Sequence, residues 1–427
     1  MTGLTIILLF LVLIVLKVPI AVCLGFPTFL YIWVNGIPLS VLSHRMVNAL
    51  NSVPLLAVPL FILAGNLMNT SGISDRIFRS ARIFVGRMKG GLAQVNIVAS
   101  LIFSGISGAA LADVGGLGNV EIRAMRDQGY PDEQSAAITA ASATIGPIFP
   151  PSIPLIIFGT VAEVSGIRLL IAGIVPALII TVSLMLQVAY MARKHDWPKD
   201  TVSQSLREKA RILGSSLPAL LAPLILILGL ISGTFSPTEL AGFTVFYMIL
   251  INYLFYHELS LKRFILILRD TLVSTANILF IVSAAAIFAW VLTVEQLPVK
   301  ISHLFLSITQ NPALLLLLVN LLLFIVGMFM ESIAAILVFT PLIVPPLVGL
   351  GVDPVHLGIV VVLNLMIGLI TPPVGMSLYM VSIVSGVPVP RVIRTIVPYY
   401  IPLVLSLLIV TFVPSLSVFL PNLLLNK

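Results

Sequence analysis

Two short segments hold the groups best suited to chemistry. They are Thr144-Ile145-Gly146-Pro147-Ile148-Phe149-Pro150-Pro151 and Gly368-Leu369-Ile370-Thr371-Pro372-Pro373-Val374-Gly375. Proline has no amide donor and frees the carbonyl four residues back. Gly-x-x-x-Pro-Pro within an apolar run therefore predicts an unwound segment with free carbonyl oxygens. Carbonyl and hydroxyl oxygens suit a hard cation such as Na⁺. The N-terminal end of the resumed half-helix suits an anion. A simple proline kink accounts for one such motif better than for a symmetric pair.

Two further segments belong with these. Phe103-Ser104-Gly105-Ile106-Ser107-Gly108-Ala109-Ala110 is a cluster of small residues that would let a helix turn and expose carbonyls. Small residues serve equally for close helix packing, so an ion site and a packing seam both stand. Its counterpart, Gly327-Met328-Phe329-Met330-Glu331-Ser332, carries a carboxylate. Of the 16 acidic residues only Asp113, Glu121 and Glu331 fall deep in apolar segments. A carboxylate at bilayer depth costs roughly 2.5–3.5 kcal/mol, so such a group usually serves a site or a pathway. Asp113 and Glu331 either balance cations and position the turns, or bond to backbone amides. Glu121 is spaced to pair with Arg123 or Arg126.

The elements around these segments are helices in a membrane. Of 427 residues 59% are apolar and 9% charged, where a soluble protein carries about 25% charged residues. The long apolar runs read as spanning helices rather than barrel strands. The net charge of +7 reads as basic loops on the cytoplasmic side, with no nucleic acid as partner. The single Cys23 forms no internal disulfide. The five histidines are scattered, none reads as deep enough to act as a base, and no HExxH or CxxC occurs. Residues 4–16 read as a retained first helix rather than a cleaved signal. The stretches 134–162, 313–350 and 355–385 exceed one span and are studded with Gly and Pro, as broken transporter helices are. Residues 74–91 and 258–270 read as amphipathic connectors at the interface.

The chain is internally duplicated. IGPIFPP at 145–151 recurs as IGLITPP at 367–373, an offset of 222 (367 − 145). Gly105 with Gly327, Gly129 with Gly351, and Ile174-Val175-Pro176 with Ile396-Val397-Pro398 share that offset. With a first hairpin at about 92–126 entering from the cytoplasm and a second at about 312–351 entering from outside, only Arg45, Arg168, Lys300 and Lys427 of the 23 basic residues lie outside. That bias satisfies the positive-inside rule and makes the repeat inverted. Residues 1–73 and 212–257 then read as scaffold, and 74–91 and 258–268 as interface arms. Residues 92–192 and 269–427 read as two transport halves, joined through a cytoplasmic loop at 193–211.

At its motifs the sequence resembles the large membrane (M) subunit of tripartite ATP-independent periplasmic (TRAP) transporters, the DctM type. The resemblance rests on SGISGAALADVGGLG (104–118), IGPIFPPSIP (145–154), FSPTELAGF (235–243), GMFMESIAAILVFTPLIVPP (327–346) and GIVVVLNLMIGLITPPVG (358–375). It implies an all-α integral membrane protein: an inverted-repeat, elevator-type transporter with two re-entrant helical hairpins and two broken helices. It further implies a multi-pass protein of the bacterial inner membrane that imports an organic acid, a C4-dicarboxylate, sialic acid or similar carboxylate, by Na⁺ symport. The partners implied are a periplasmic substrate-binding protein and a small four-helix membrane subunit, within the lipid bilayer. One Na⁺ is implied at Ser104, Ser107, Gly146, Phe149 and Pro150, and a second at Gly327, Gly368, Thr371 and Val374. Gly108, Asp113, Pro151, Glu331, Ser332 and Pro373 are candidates for substrate binding or gating. One departure is that Ala109 and Ala110 stand where many relatives have a serine-richer tip, which bears on side-chain contacts there. A stand-alone Na⁺-coupled di- or tricarboxylate carrier is the alternative within the same class. A membrane-embedded enzyme is the alternative from another class, against which stands the absence of a nucleophile elbow.

Overall fold

The computed structural model describes residues 2–16, 18–70, 72–198 and 205–425. Lys17, Lys199 and Lys427 of the charge count, and the middle of the 193–211 loop, lie outside the described residues. Among the described residues every regular element is helical. Among the described residues seven helices are long and apolar enough to cross a bilayer, or eight if the bent pair Ser40–Leu50 and Val53–Asn69 is one span. Large apolar side chains such as Leu8, Leu11, Leu224, Leu228, Phe246 and Leu272 remain exposed, which suits a lipid surround.

The duplication is visible in the breaks. Helix Gly91–Ser107 is followed by Gly108 and Ala109 and then by Ala110–Asp127. Helix Pro312–Phe329 is followed by Met330 and Glu331 and then by Ser332–Gly349. Gly108 and Met330 differ by 222, so the two turns fall in register. In the first pair the arms fold back on each other. The Tyr130 hydroxyl, just beyond the second arm, donates to the Gly90 carbonyl at 2.8 Å, just before the first.

The long Pro-containing stretches are interrupted where the motifs predict. Asp132–Ser142 passes through a short 3₁₀ turn and an irregular segment to Ile153–Val161. Pro354–Leu369 resumes as Met376–Ser385. Pro150-Pro151 and Pro372-Pro373 are both cis. In each half an asparagine ties hairpin to broken helix. Asn96 donates to Thr139 at 2.8 Å and accepts from Ser142 at 2.7 Å. Asn364 donates to the Asn320 carbonyl at 2.8 Å. Buried amide bonds of this kind are costly to break without water to replace them.

The connectors behave differently from each other. Ile73–Val85 is a separate amphipathic helix that buries Ile73, Ile77, Phe78 and Ala81. Phe84 near its end and Met88 just beyond it are exposed. The second connector is not separate. Leu261–Val294 is one unbroken helix of 34 residues, containing neither Gly nor Pro to interrupt it. At 1.5 Å per residue it is about 51 Å long, against roughly 30 Å of hydrocarbon, so part of it extends beyond the core. The two connectors meet: the Arg76 guanidinium lies 2.9 Å from Glu258 and 3.9 Å from the Tyr256 ring centroid.

Candidate functional site

The first hairpin turns at Gly108 because only glycine fits there. Its φ is +61°, and an added Cβ would lie 2.5 Å from the Pro151 carbonyl oxygen. The Gly108 carbonyl in turn accepts from the Ile153 amide at 3.4 Å. The turn is thereby fastened to the Pro-Pro break. A Cβ at Gly146 would stand 3.6 Å from both the Ala109 carbonyl carbon and the Ser104 hydroxyl, and one at Gly105 would stand 3.5 Å from the Phe149 ring. Ser104, Gly108, Gly146, Phe149 and Pro151 therefore converge, with Pro150 between the last two. The Ser104 hydroxyl donates to the Ser100 carbonyl. The Ser107 hydroxyl is buried without a hydrogen-bond partner among the described residues.

The second half converges in the same way. A Cβ on Gly368 would lie 2.6 Å from the Gly327 Cα. The amides of Val374 and Gly375 donate to the Met328 carbonyl at 3.2 and 3.4 Å. The Thr371 hydroxyl donates to the Ile367 carbonyl at 2.7 Å, and the Tyr400 hydroxyl steadies the turn through the Ile370 carbonyl at 2.6 Å. Gly327, Gly368, Thr371 and Val374 thus gather at the second break. Pro373 is exposed, unlike buried Pro151.

Between the hairpin turns lies a cavity of about 410 Å³. The first hairpin contributes Ser107 and Ala109 to Ala112, and the second contributes Glu331, Ser332 and Ile333. Asn66 and Ser274 reach it from the helices Ala57–Thr70 and Leu261–Val294. Three helices begin at its wall: Ile153–Val161 is capped by the Ser152 hydroxyl, and the ends of the other two differ. At Ser332–Gly349 the Glu331 carboxylate accepts from the Ile333 and Ala334 amides at 2.9 and 3.3 Å and from the Ser332 hydroxyl at 3.0 Å. Glu331 is a helix cap as well as a wall. At Ala110–Asp127 no side chain caps the first turn. Its free amides and positive dipole end favour an anion such as a carboxylate.

Glu121 forms no ion pair with Arg123 or Arg126. Its oxygens are buried and without a geometric hydrogen bond among the described residues, while Arg126 bonds Asp132 at 2.7 Å and the Ser385 carbonyl at 2.8 Å. Asp113 is buried in the same hairpin and is not part of the cavity wall. His356, which reads as shallow in sequence, is 1% exposed, with its ring nitrogens 3.3 Å from the Ser417 hydroxyl and 3.2 Å from the Thr411 carbonyl. Packing of the helix Ser415–Leu425 beside it accounts for the burial. It does not reach the cavity. Among the described residues no three His, Cys, Asp or Glu side chains gather as metal ligands. Asn66 and Ser274 belong to no motif in the sequence. The signal was slight, an amide in the apolar run 49–68 and a serine in 264–293.

The fold is similar to the crystal structure of the Alcanivorax borkumensis YdaH transporter, with a TM-score of 0.59 over 87% of this chain and 86% of that one, at 16% identity. Among curated proteins, the sialic acid TRAP transporter large permease protein SiaM of Vibrio cholerae is 42% identical, with 92% of each chain covered. The C4-dicarboxylate TRAP transporter large permease protein DctM of Pseudomonas aeruginosa is 37% identical, with 89% of each covered. Both are transporter permeases, so the membrane-enzyme alternative falls away. The tripartite ATP-independent periplasmic transporter, DctM component, matches residues 7–416. Because that match runs over nearly the whole chain, this protein belongs to the DctM component family of tripartite ATP-independent periplasmic transporters.

Proposed function

We infer that this chain carries an organic acid across the bacterial inner membrane by Na⁺ symport. The observation that supports this most directly is the cavity where both hairpin turns meet an uncapped helix start. The Ala110–Ala112 amides and the Ser107 hydroxyl would hold the substrate carboxylate there. The carbonyls at Ser104, Ser107, Gly146, Phe149 and Pro150 would form one Na⁺ site beside it. Those at Gly327, Gly368 and Val374, with the Thr371 hydroxyl, would form the other. Sialic acid and C4-dicarboxylates, the substrates in the relatives' names, are both carboxylates. Uptake into proteoliposomes is expected to require an inward Na⁺ gradient. Equal uptake with K⁺ or choline in place of external Na⁺ rules the coupling out.

The hairpins and broken helices, tied by Asn96 and Asn364, would move as one body. Residues 1–73 and 212–257 would stay fixed in the bilayer, with the connectors restraining them at the interface. The two hairpins would be re-entrant from opposite sides. A periplasmic binding protein would deliver the acid, and a small four-helix subunit would cover the scaffold. Full binding-protein-independent uptake by this chain alone would instead support a stand-alone carrier.

The orientation has its own test. Cys23 is buried and its thiol donates to the Val18 carbonyl at 3.3 Å, so a Cys23→Ala background is suitable for labelling. Ala210→Cys on that background is expected to resist membrane-impermeant thiol reagents in intact spheroplasts and to react after lysis. Labelling before lysis reverses the topology.

A further inference from the structure

Inside the first hairpin two buried carboxylates form no ion pair among the described residues. Asp113 is 1% exposed and Glu121 0% exposed. They are eight residues apart (121 − 113) on the helix Ala110–Asp127, about two turns along one side of it. None of their four oxygens has a hydrogen-bond partner among the described residues. The Ser100 hydroxyl faces both acids, and the Thr139 hydroxyl faces Glu121. Ser100 is itself held 3.1 Å from Ser142, and Thr139 by Asn96 at 2.8 Å. Both arms of the hairpin and the helix Asp132–Ser142 therefore bring oxygen-bearing side chains beside the two acids. Arg123 and Arg126, the nearest basic residues in sequence, are exposed.

The duplication argues against a packing role. Adding 222 to 113 and 121 gives 335 and 343, where the second half has buried Ala335 and Ile343. The same architecture is thus built there with apolar side chains. Two unpaired negative charges inside the membrane would be strongly destabilising. A proton on each acid, bonded to the Ser100 and Thr139 oxygens, is the competing arrangement, and it binds no metal ion. A cation gives several oxygens a partner at once, and carboxylate and hydroxyl oxygens are hard ligands.

We propose that Asp113 and Glu121, with the Ser100 and Thr139 hydroxyls, form a further Na⁺ site in the first hairpin that the second half lacks. One acid stays as the carboxylic acid, so that a single Na⁺ leaves the pair neutral. The site uses side chains, and is separate from the backbone-carbonyl sites at the Pro-Pro breaks.

The test is a count of bound ions. Radioactive ²²Na⁺ binding is measured at saturation on the purified full chain with its small membrane subunit. The isosteric Asp113→Asn/Glu121→Gln variant is expected to bind one Na⁺ fewer per chain, and Thr371→Val should leave that component in place. An unchanged count in the double variant overturns the proposal. Where the double variant fails to fold, Glu121→Gln alone serves, and the wild type offers a second reading. Exchange of K⁺ for Na⁺ should shift a carboxylate band in its infrared difference spectrum. Absence of any Na⁺-sensitive carboxylate band, or a band that responds to protons alone, equally overturns it.

Discussion

Gly368→Ala is expected to lower Na⁺-driven uptake at least tenfold, at every Na⁺ concentration. The new methyl would fall 2.6 Å from the Gly327 Cα and 2.7 Å from the Gly327 carbonyl carbon. Both are backbone atoms, so no side chain can swing aside. The hairpin helix and the broken helix must then separate, at a cost of roughly 1–3 kcal/mol or more. Separation pulls the Val374 and Gly375 amides away from the Met328 carbonyl and opens the proposed cation site. Gly327→Ala should do less, since its methyl would stand 3.1 Å from the Gly368 Cα. Gly358→Ala is the packing control. Its methyl would meet the Leu169 and Phe158 side chains at 2.6 and 2.7 Å, outside the site, so it should lower thermal stability without shifting the Na⁺ dependence. The check is initial uptake rate against Na⁺ concentration, normalised to reconstituted protein. Wild-type rates for Gly368→Ala would show that the close approach of these glycines is dispensable.

The breaks were legible because a glycine or a Pro-Pro pair forces the backbone locally, and duplication repeats the signal. Gly108 and Met330, and Pro151 and Pro373, fall at one offset, so each turn supports the assignment of the other. The cavity was less legible. Asn66 and Ser274 face the hairpin turns only because two distant helices pack there, and no spacing within either segment encodes that. Glu331 left two readings in the sequence, and its bonds to the Ile333 and Ala334 amides show the capping one. The second connector does not separate at 268, because a charged stretch is not a helix stop. Lys262, Arg263 and Arg269 make a polar start, but a helix stops where its backbone bonding is interrupted, and no Gly or Pro does so before 294. Glu121 failed for a related reason. Sequence proximity to Arg123 and Arg126 does not place side chains on one face, and the helix turns the acid inward and the arginines outward.

Thr371→Val should raise the Na⁺ concentration for half-maximal uptake about tenfold to a hundredfold, while rates at saturating Na⁺ largely recover. The side chain is buried at the second break, 6% exposed. Its hydroxyl proton is committed to the Ile367 carbonyl at 2.7 Å, which leaves the oxygen lone pairs available to a cation. Valine has nearly the same shape and no oxygen. Loss of one oxygen contact to a charged partner is worth roughly 1.5–3 kcal/mol, which sets the expected shift. The helix geometry should survive, because the Thr371 amide still donates to the Gly368 carbonyl at 2.9 Å and Tyr400 still holds the Ile370 carbonyl. Thr371→Ser restores the oxygen and should restore the affinity, whereas a purely steric role would respond to the lost methyl instead. The decisive measurement is Na⁺ titration of uptake for all three proteins in parallel. Should valine leave the titration unmoved, the hydroxyl is no ligand, and the second Na⁺ would have to be held by the Gly327, Gly368 and Val374 carbonyls alone.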